Sequence, residues 1–239
     1  MSNYKLTYKP FGEKAILIEW PSEINEKILH DILIFKDKIE QEVNLQDIIV
    51  GYNSLLLVSN FVIEKVYEKI NFLKEWYKSP LETKAQKAVH WEIPVCYHQQ
   101  FGVDLEELSK TKSISIDRII NLHTDQIYTV FFIGFLPGFL YLGGLNEQLA
   151  VPRKSTPRLR VPKGAVAIGG NQTGVYPAES SGGWNIIGSS PVLFFDIENS
   201  TPCFAKTGDK ISFKSVSVDE YDEIEKRVKK NLYQIKKIL

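Results

Sequence analysis

The sequence predicts an α+β fold: a small α/β domain in residues 1–80, a domain of many short strands in residues 88–216, and an amphipathic helix in residues 217–239. Three observations carry this. Strand-like and helical runs alternate through the first part. Helical periodicity then gives way to short apolar runs, and 11 of the 15 glycines and 5 of the 11 prolines fall within residues 131–188. Glycine permits positive φ and close backbone approach, while proline fixes φ and removes a donor, so this density demands a defined loop path and excludes long helices. A clean 3.6-residue stripe returns only after Ser217.

In the first domain a strand over residues 14–20 leads through Pro21-Ser22 into Ile28, Ile32, Phe35, Ile39 and Val43, spaced by three and four as in an amphipathic helix. Residues 47–52 and 54–59 read as strands, joined at Tyr52-Asn53 tightly enough for a hairpin. A second helix covers residues 63–77, with Val66, Ile70, Leu73 and Tyr77 on one face. The order β-α-β-β-α is that of a ferredoxin-like α/β sandwich. Residues 78–87, KSPLETKAQK, are polar and aperiodic and read as a linker.

The second domain opens with a strand over residues 88–97 and a short helical piece over 104–108; Ser115 then caps a helix that ends near His123. Strands follow at 127–133, 164–168, 184–188, 192–196 and 210–214, separated by Pro-Gly, Gly-Gly and Gly-Asp turns, which indicates a barrel or closed sandwich. In the tail, Ser217 and Glu220 form a capping box, and Tyr221, Ile224, Val228, Leu232 and Ile235 form the stripe of a helix docked on its own chain.

With 29 basic and 29 acidic residues the chain carries no net charge, which argues against nucleic acid and anionic membranes as partners. Cys96 and Cys203 lack CxxC spacing, and with His30, His90, His98 and His123 they form no metal-ligand pattern. They read as buried free thiols. No leader-like apolar run opens the sequence and none reaches the ~20 residues of a membrane span, so the expectation is a cytoplasmic protein. The motifs GxxxxGK[ST], GxSxG, HExxH and a GxGxxG after a strand are absent, so no self-contained catalyst announces itself.

One region departs from this charge balance. Residues 151–178 hold Arg153, Lys154, Arg158, Arg160 and Lys163 with no Asp or Glu. Such a stretch is either a solvated basic loop or a surface shaped for a carboxylate or phosphate, and arginines set among turn-forming prolines favour the second. Candidate site residues are His123, Arg153, Arg160, Gln172, Tyr176, Ser180 and Trp184. His123 either serves a helix C-terminus or faces a ligand, and Tyr176 and Trp184 either fill a core or line a site. Gln172 stands between Gly170 and Gly174, where its amide can both donate and accept.

The segments WEIPVCY, DLEEL, NLH, GFLPGFLYLGGL, VPRKSTPRLRVP, GGNQTGVYPAESSGGWNIIG and TGDKISF, with FGEKAILIEW and GYNSLLL before them, resemble the allophanate hydrolase subunit 1, or KipI-like, family over residues 4–215. The resemblance implies a cyclophilin-like β-barrel in the second domain. It also implies work in a complex: ATP-dependent opening of 5-oxo-L-proline to L-glutamate, with an allophanate hydrolase subunit 2 homologue (the C-type 5-oxoprolinase subunit) and the A-type 5-oxoprolinase subunit, and no activity alone. In that setting Arg153 and Arg160, with Tyr176, Ser180 and Trp184, would bind substrate, while His123 and Gln172 would orient the amide; ATP is used by the complex and no metal site is evident. Other members of the family imply two alternatives, inhibition of a sensor histidine kinase or a carboxyltransferase half of the urea carboxylase type.

Overall fold

A computed structural model describes residues 4–79 and 88–238. All but the first two positions of the expected linker, residues 78–87, lie outside the described residues. The chain divides into two compact units, Met1–Lys87 and Ala88–Leu239.

The first unit contains β1 (Thr7–Phe11), β2 (Ala15–Glu19), α1 (Glu26–Glu42), β3 (Asp47–Val50), β4 (Ser54–Val58) and α2 (Val66–Lys78). Its antiparallel sheet has the order β1-β2-β4-β3. Ile16, Ile18, Leu55 and Leu57 are buried at alternate positions of the two central strands, as a half-covered sheet requires. Asn25 caps α1, its side chain accepting from the N–H of Lys27, and Ile28, Ile32, Phe35 and Ile39 are all buried. The buried Asp31 accepts from Trp20 Nε1–H at 2.7 Å and from the Tyr77 hydroxyl at 2.5 Å, tying both helices to the end of β2. The expected β-α-β-β-α order is thus preceded by a further strand. β1 carries Pro10 and little apolar alternation, and it lies at a sheet edge, where a missing N–H is tolerated.

The second unit contains β5 (His90–Val95), α3 (Leu105–Lys112), α4 (Ile116–Thr124), β6 (Tyr128–Ile133), β7 (Leu140–Gly143), β8 (Arg158–Val161), β9 (Ala165–Gly169), β10 (Gln172–Val175), β11 (Ser180–Gly182), β12 (Asn185–Ser189), β13 (Lys210–Ser215), α5 (Val218–Lys229) and β14 (Lys236–Ile238). Eight strands pair in the order β12-β9-β10-β7-β6-β13-β5-β14, and β8 and β11 form a separate two-stranded ribbon. The ladder stops short of a closed barrel. β14 takes the edge of β5 at residues 90–92, and just beyond β5 Cys96 exchanges backbone hydrogen bonds, at 2.8 and 3.0 Å, with Ser189, the last residue of β12. Ile93, Tyr128, Leu140, Val166, Ile187 and Phe213 belong to the main core. A second cluster, including Phe139, Val161, Tyr176, Trp184 and Ile186, is distinct from it.

Two expectations need correction. Residues 192–196 form no strand: Val192 and Phe194 are buried, but the Asp196 N–H bonds Pro202 O across a turn instead of joining a ladder. The tail is not helical to residue 239. The capping box of Ser217 and Glu220 is present and Tyr221 is buried, but α5 ends at Lys229 and Asn231 takes a left-handed φ of 56°. That reversal brings residues 236–238 back as β14 on the open edge of β5, a tertiary opportunity that helical periodicity does not register.

Asp209 holds the start of β5 to the turn before β13. Its carboxylate accepts from the Val89 N–H (2.9 Å), Trp91 Nε1–H (3.0 Å) and Lys206 N–H (2.9 Å), and it is buried. Asp209→Ala strands three donors and is expected to lower the unfolding free energy by roughly 3 kcal/mol, read from a urea midpoint at unchanged slope. A loss under about 1 kcal/mol would contradict this role.

Candidate functional site

The basic segment is pinned at its start. Val151 exchanges backbone bonds with Gly170 at 3.0 and 2.7 Å, Pro152 O accepts from Asn185 Nδ2–H at 3.0 Å, and the Lys154 N–H donates to Gly183 O at 2.7 Å. Two of its cations are then gathered by one carboxylate. Asp104, at the N-terminus of α3, is 3% exposed in its side chain and takes Arg158 Nη2 at 2.6 Å and Lys154 Nζ at 3.1 Å. Its other oxygen accepts the Ile186 N–H at 2.7 Å, while its own N–H donates to Ile186 O at 3.0 Å. The side chain makes no capping bond to α3, so it is spent wholly on the loop and β12. Glu107 adds a second contact to Lys154 at 2.8 Å. Burial works to lower the Lys154 pKa, but its bonds to Glu107 and Asp104 outweigh that and hold the ammonium above the ordinary lysine value.

Beside this clamp stands an aromatic wall. Phe139 meets Tyr176 edge-on at 5.2 Å and Trp184 at 5.6 Å; Tyr141 meets Trp184 at 5.9 Å and stacks on Phe132 at 4.1 Å. Two glycines make the packing possible. A Cβ on Gly169 would sit 2.6 Å from the Trp184 ring, and one on Gly182 would collide with the Tyr176 hydroxyl. The Arg153 guanidinium lies over the Trp184 ring, 5.7 Å from its centroid. Burial raises the Tyr176 and Tyr141 pKa values; a backbone hydrogen bond from Trp184 and the positive charge of Arg153 work the other way on Tyr176, and Arg153 does so on Tyr141. Among the described residues Arg153 has no carboxylate partner, and it is exposed.

Of the residues singled out in the sequence, Arg153, Tyr176 and Trp184 come together here. Ser180 sits opposite Val161 in the β8–β11 ribbon, and Gln172 opens β10 at the hairpin whose tip bridges to Val151. Arg160 is 84% exposed, 3.7 Å from Glu179. His123 is not at a surface. It is fully buried and stacked on Phe213 at 4.7 Å. Thr173 Oγ1 donates to Ala167 O at 3.0 Å, so His123 Nε2–H donates to Thr173 at 2.9 Å, and Nδ1 accepts the Tyr97 hydroxyl at 2.7 Å. It therefore touches the residue adjacent to Gln172 from behind. Asp104 escaped notice because DLEEL reads as an ordinary helix start, although its acidic residue is the partner that an acid-free basic segment needs.

The model of the family "Carboxyltransferase domain, subdomain C and D" matches residues 6–205, and the chain belongs to that family. Its curated relatives are narrower in kind: it is 35% identical over 227 residues to the B-type 5-oxoprolinase subunit of Bacillus subtilis, covering 88% of this chain and 92% of that one. It is also 35% identical over 204 residues to the B-type 5-oxoprolinase subunit of Haemophilus influenzae, covering 85% and 95%. Among solved structures, the urea amidolyase of Kluyveromyces lactis superposes with a TM-score of 0.83 over 98% of this chain and 16% of its own, at 18% identity, a likeness of fold.

Burial pushes the His123 pKa down to about 3 against an ordinary value near 6.5. The unfolded chain then binds a proton that the folded chain refuses between those values. The stabilisation His123 gives is full above 6.5 and is lost as pH falls toward 3, at about 1.4 kcal/mol per pH unit. His123→Gln is expected to be less stable than the wild type at pH 7.5, with the gap narrowing steadily between pH 6 and pH 4 in urea unfolding; a gap independent of pH would show that the imidazole titrates normally.

Proposed function

We propose that this chain is the B-type subunit of an ATP-dependent 5-oxoprolinase, working with a subunit-2 homologue (the C-type chain) and the A-type chain to open 5-oxo-L-proline to L-glutamate. The observation that carries the reading is the 35% identity to B-type 5-oxoprolinase chains over nearly their whole length. The site supports it. A lactam carbonyl resists water until its oxygen is phosphorylated, and both the substrate carboxylate and the transferred phosphoryl group need a fixed cation. Arg153 supplies one, held over Trp184 and free of carboxylates among the described residues.

On this reading Tyr176 and Trp184 wall the substrate ring, Ser180 and Gln172 border it, and Arg160 extends toward a partner chain. His123 is a positioning residue that fixes Thr173 and hence Gln172. Lys154 and Arg158 are committed to Asp104, and Arg160 lies beside Glu179, so the loop suits one anionic group better than a triphosphate. ATP is accordingly assigned to the complex, with its phosphates on another chain, and the isolated protein is inactive. The same reading takes the first unit as ferredoxin-like (residues 1–80), the second as cyclophilin-like (88–216) with a C-terminal extension, and the setting as cytoplasmic. The fold likeness to urea amidolyase favours a second reading, a carboxyltransferase half acting on urea-like substrates.

Reconstitution with the A-type and C-type chains from the same genome is expected to yield glutamate only with ATP and all three chains; no glutamate from any combination overturns the proposal. In the active assembly Arg153→Ala is expected to lower kcat/KM about tenfold or more, as for a lost charge-assisted hydrogen bond, with the melting temperature shifted by no more than a few degrees.

A further inference from the structure

The first unit contains a cavity of about 180 Å³ that no step above uses. It lies between the sheet and the helices. Ile16 and Leu57 come from the sheet, Ile39 and Val43 from α1 and its end, Leu73 from α2, and Leu45, Val62 and Ile63 from the connecting segments. Eight aliphatic side chains therefore face one space, and the polar lining is limited to Ser59 and Lys69. A cavity of about 150 Å³ with a similar apolar lining stays dry and takes a benzene-sized guest. Away from Ser59 and Lys69 the lining offers a polar ligand no hydrogen-bond partner, so that part of the space favours an apolar body.

Lys69 decides the rest. It is the one charged residue of the lining, it is solvent-exposed, and among the described residues it is in no ion pair. An occupant with an apolar body and a single negative head satisfies both parts of the site: the body fills the cavity and the head remains at the wet end, where Lys69 and the Ser59 hydroxyl can reach it. The lining holds no carboxylate to repel that head or to attract an amine.

We propose that the first unit binds a small aliphatic monocarboxylate of about six carbons, tail in the cavity and carboxylate toward Lys69. This site is independent of the 5-oxoprolinase reading, since it uses none of the residues of the basic loop or the aromatic wall. Each methylene that enters strengthens binding about fourfold, and an exposed ion pair adds a factor of up to about five. Affinity is therefore set mainly by the tail, and the charge distinguishes an acid from its alcohol.

The test is isothermal titration of the full chain with acetate, butyrate, hexanoate and hexan-1-ol. Affinity is expected to rise from acetate to hexanoate by a factor of several per methylene, and hexanoate is expected to bind roughly two- to fivefold more tightly than hexan-1-ol. Lys69→Met, a change at an exposed position, should erase the difference between acid and alcohol while leaving hexan-1-ol unchanged. Val62→Trp, which fills the mouth, should abolish binding of both, and its circular dichroism and melting curve report whether it has folded. Equal affinities for acetate and hexanoate, or a preference for the acid that survives Lys69→Met, overturn the proposal; either result leaves the glutamate-forming assay of the complex untouched.

Discussion

A single buried carboxylate organises the candidate functional face of this protein. Asp104 draws Lys154 and Arg158 inward and grips the backbone of Ile186 in both directions, so that the basic loop, helix α3 and strand β12 meet at one point. Like charges on a short loop would otherwise hold it open. With two cations neutralised at the base, the guanidinium of Arg153 rests on Trp184 as an exposed positive group. Burying a charged cluster is costly, and it persists here because each oxygen of Asp104 is met by a donor.

Much of the fold was legible in the sequence because local chemistry and tertiary outcome agree. Helix α4 begins at Ser115, which carries its own capping oxygen, and α5 begins with the full Ser217–Glu220 box. What could not be read depends on partners distant in the chain. β10 and β11 are short, glycine-containing runs whose identity as strands comes only from the strands beside them. β14 exists because β5 leaves an edge, and the 192–196 run fails as a strand because it finds no ladder to join.

The candidate site was legible in the same uneven way. Arg153, Tyr176 and Trp184 could be chosen from residue type and from the glycine and proline around them, and they do converge. His123 could not be placed, since a histidine near a helix C-terminus looks the same whether it faces solvent or core; its two hydrogen-bond partners, Tyr97 and Thr173, are 26 and 50 residues away. Asp104, 54 residues from Arg158, is a pairing of the same long-range kind. Among the described residues no helix is long and apolar enough to span a membrane, and no group of three or more His, Cys, Asp or Glu side chains could hold a metal. The chemistry assigned to the face rests on the cationic and aromatic groups that the loop brings together.

The most direct measurement is amide hydrogen exchange over residues 152–160 in the wild type and in Asp104→Asn, paired with the KM for 5-oxoproline in the reconstituted assembly. The asparagine keeps an acceptor for Ile186 but loses the charge that holds Lys154 and Arg158. The account predicts faster exchange at Lys154, whose N–H bonds Gly183 O, together with a KM raised about fivefold or more. Unchanged protection with an unchanged KM would show that the loop holds its shape without the carboxylate, and would contradict the account at its base.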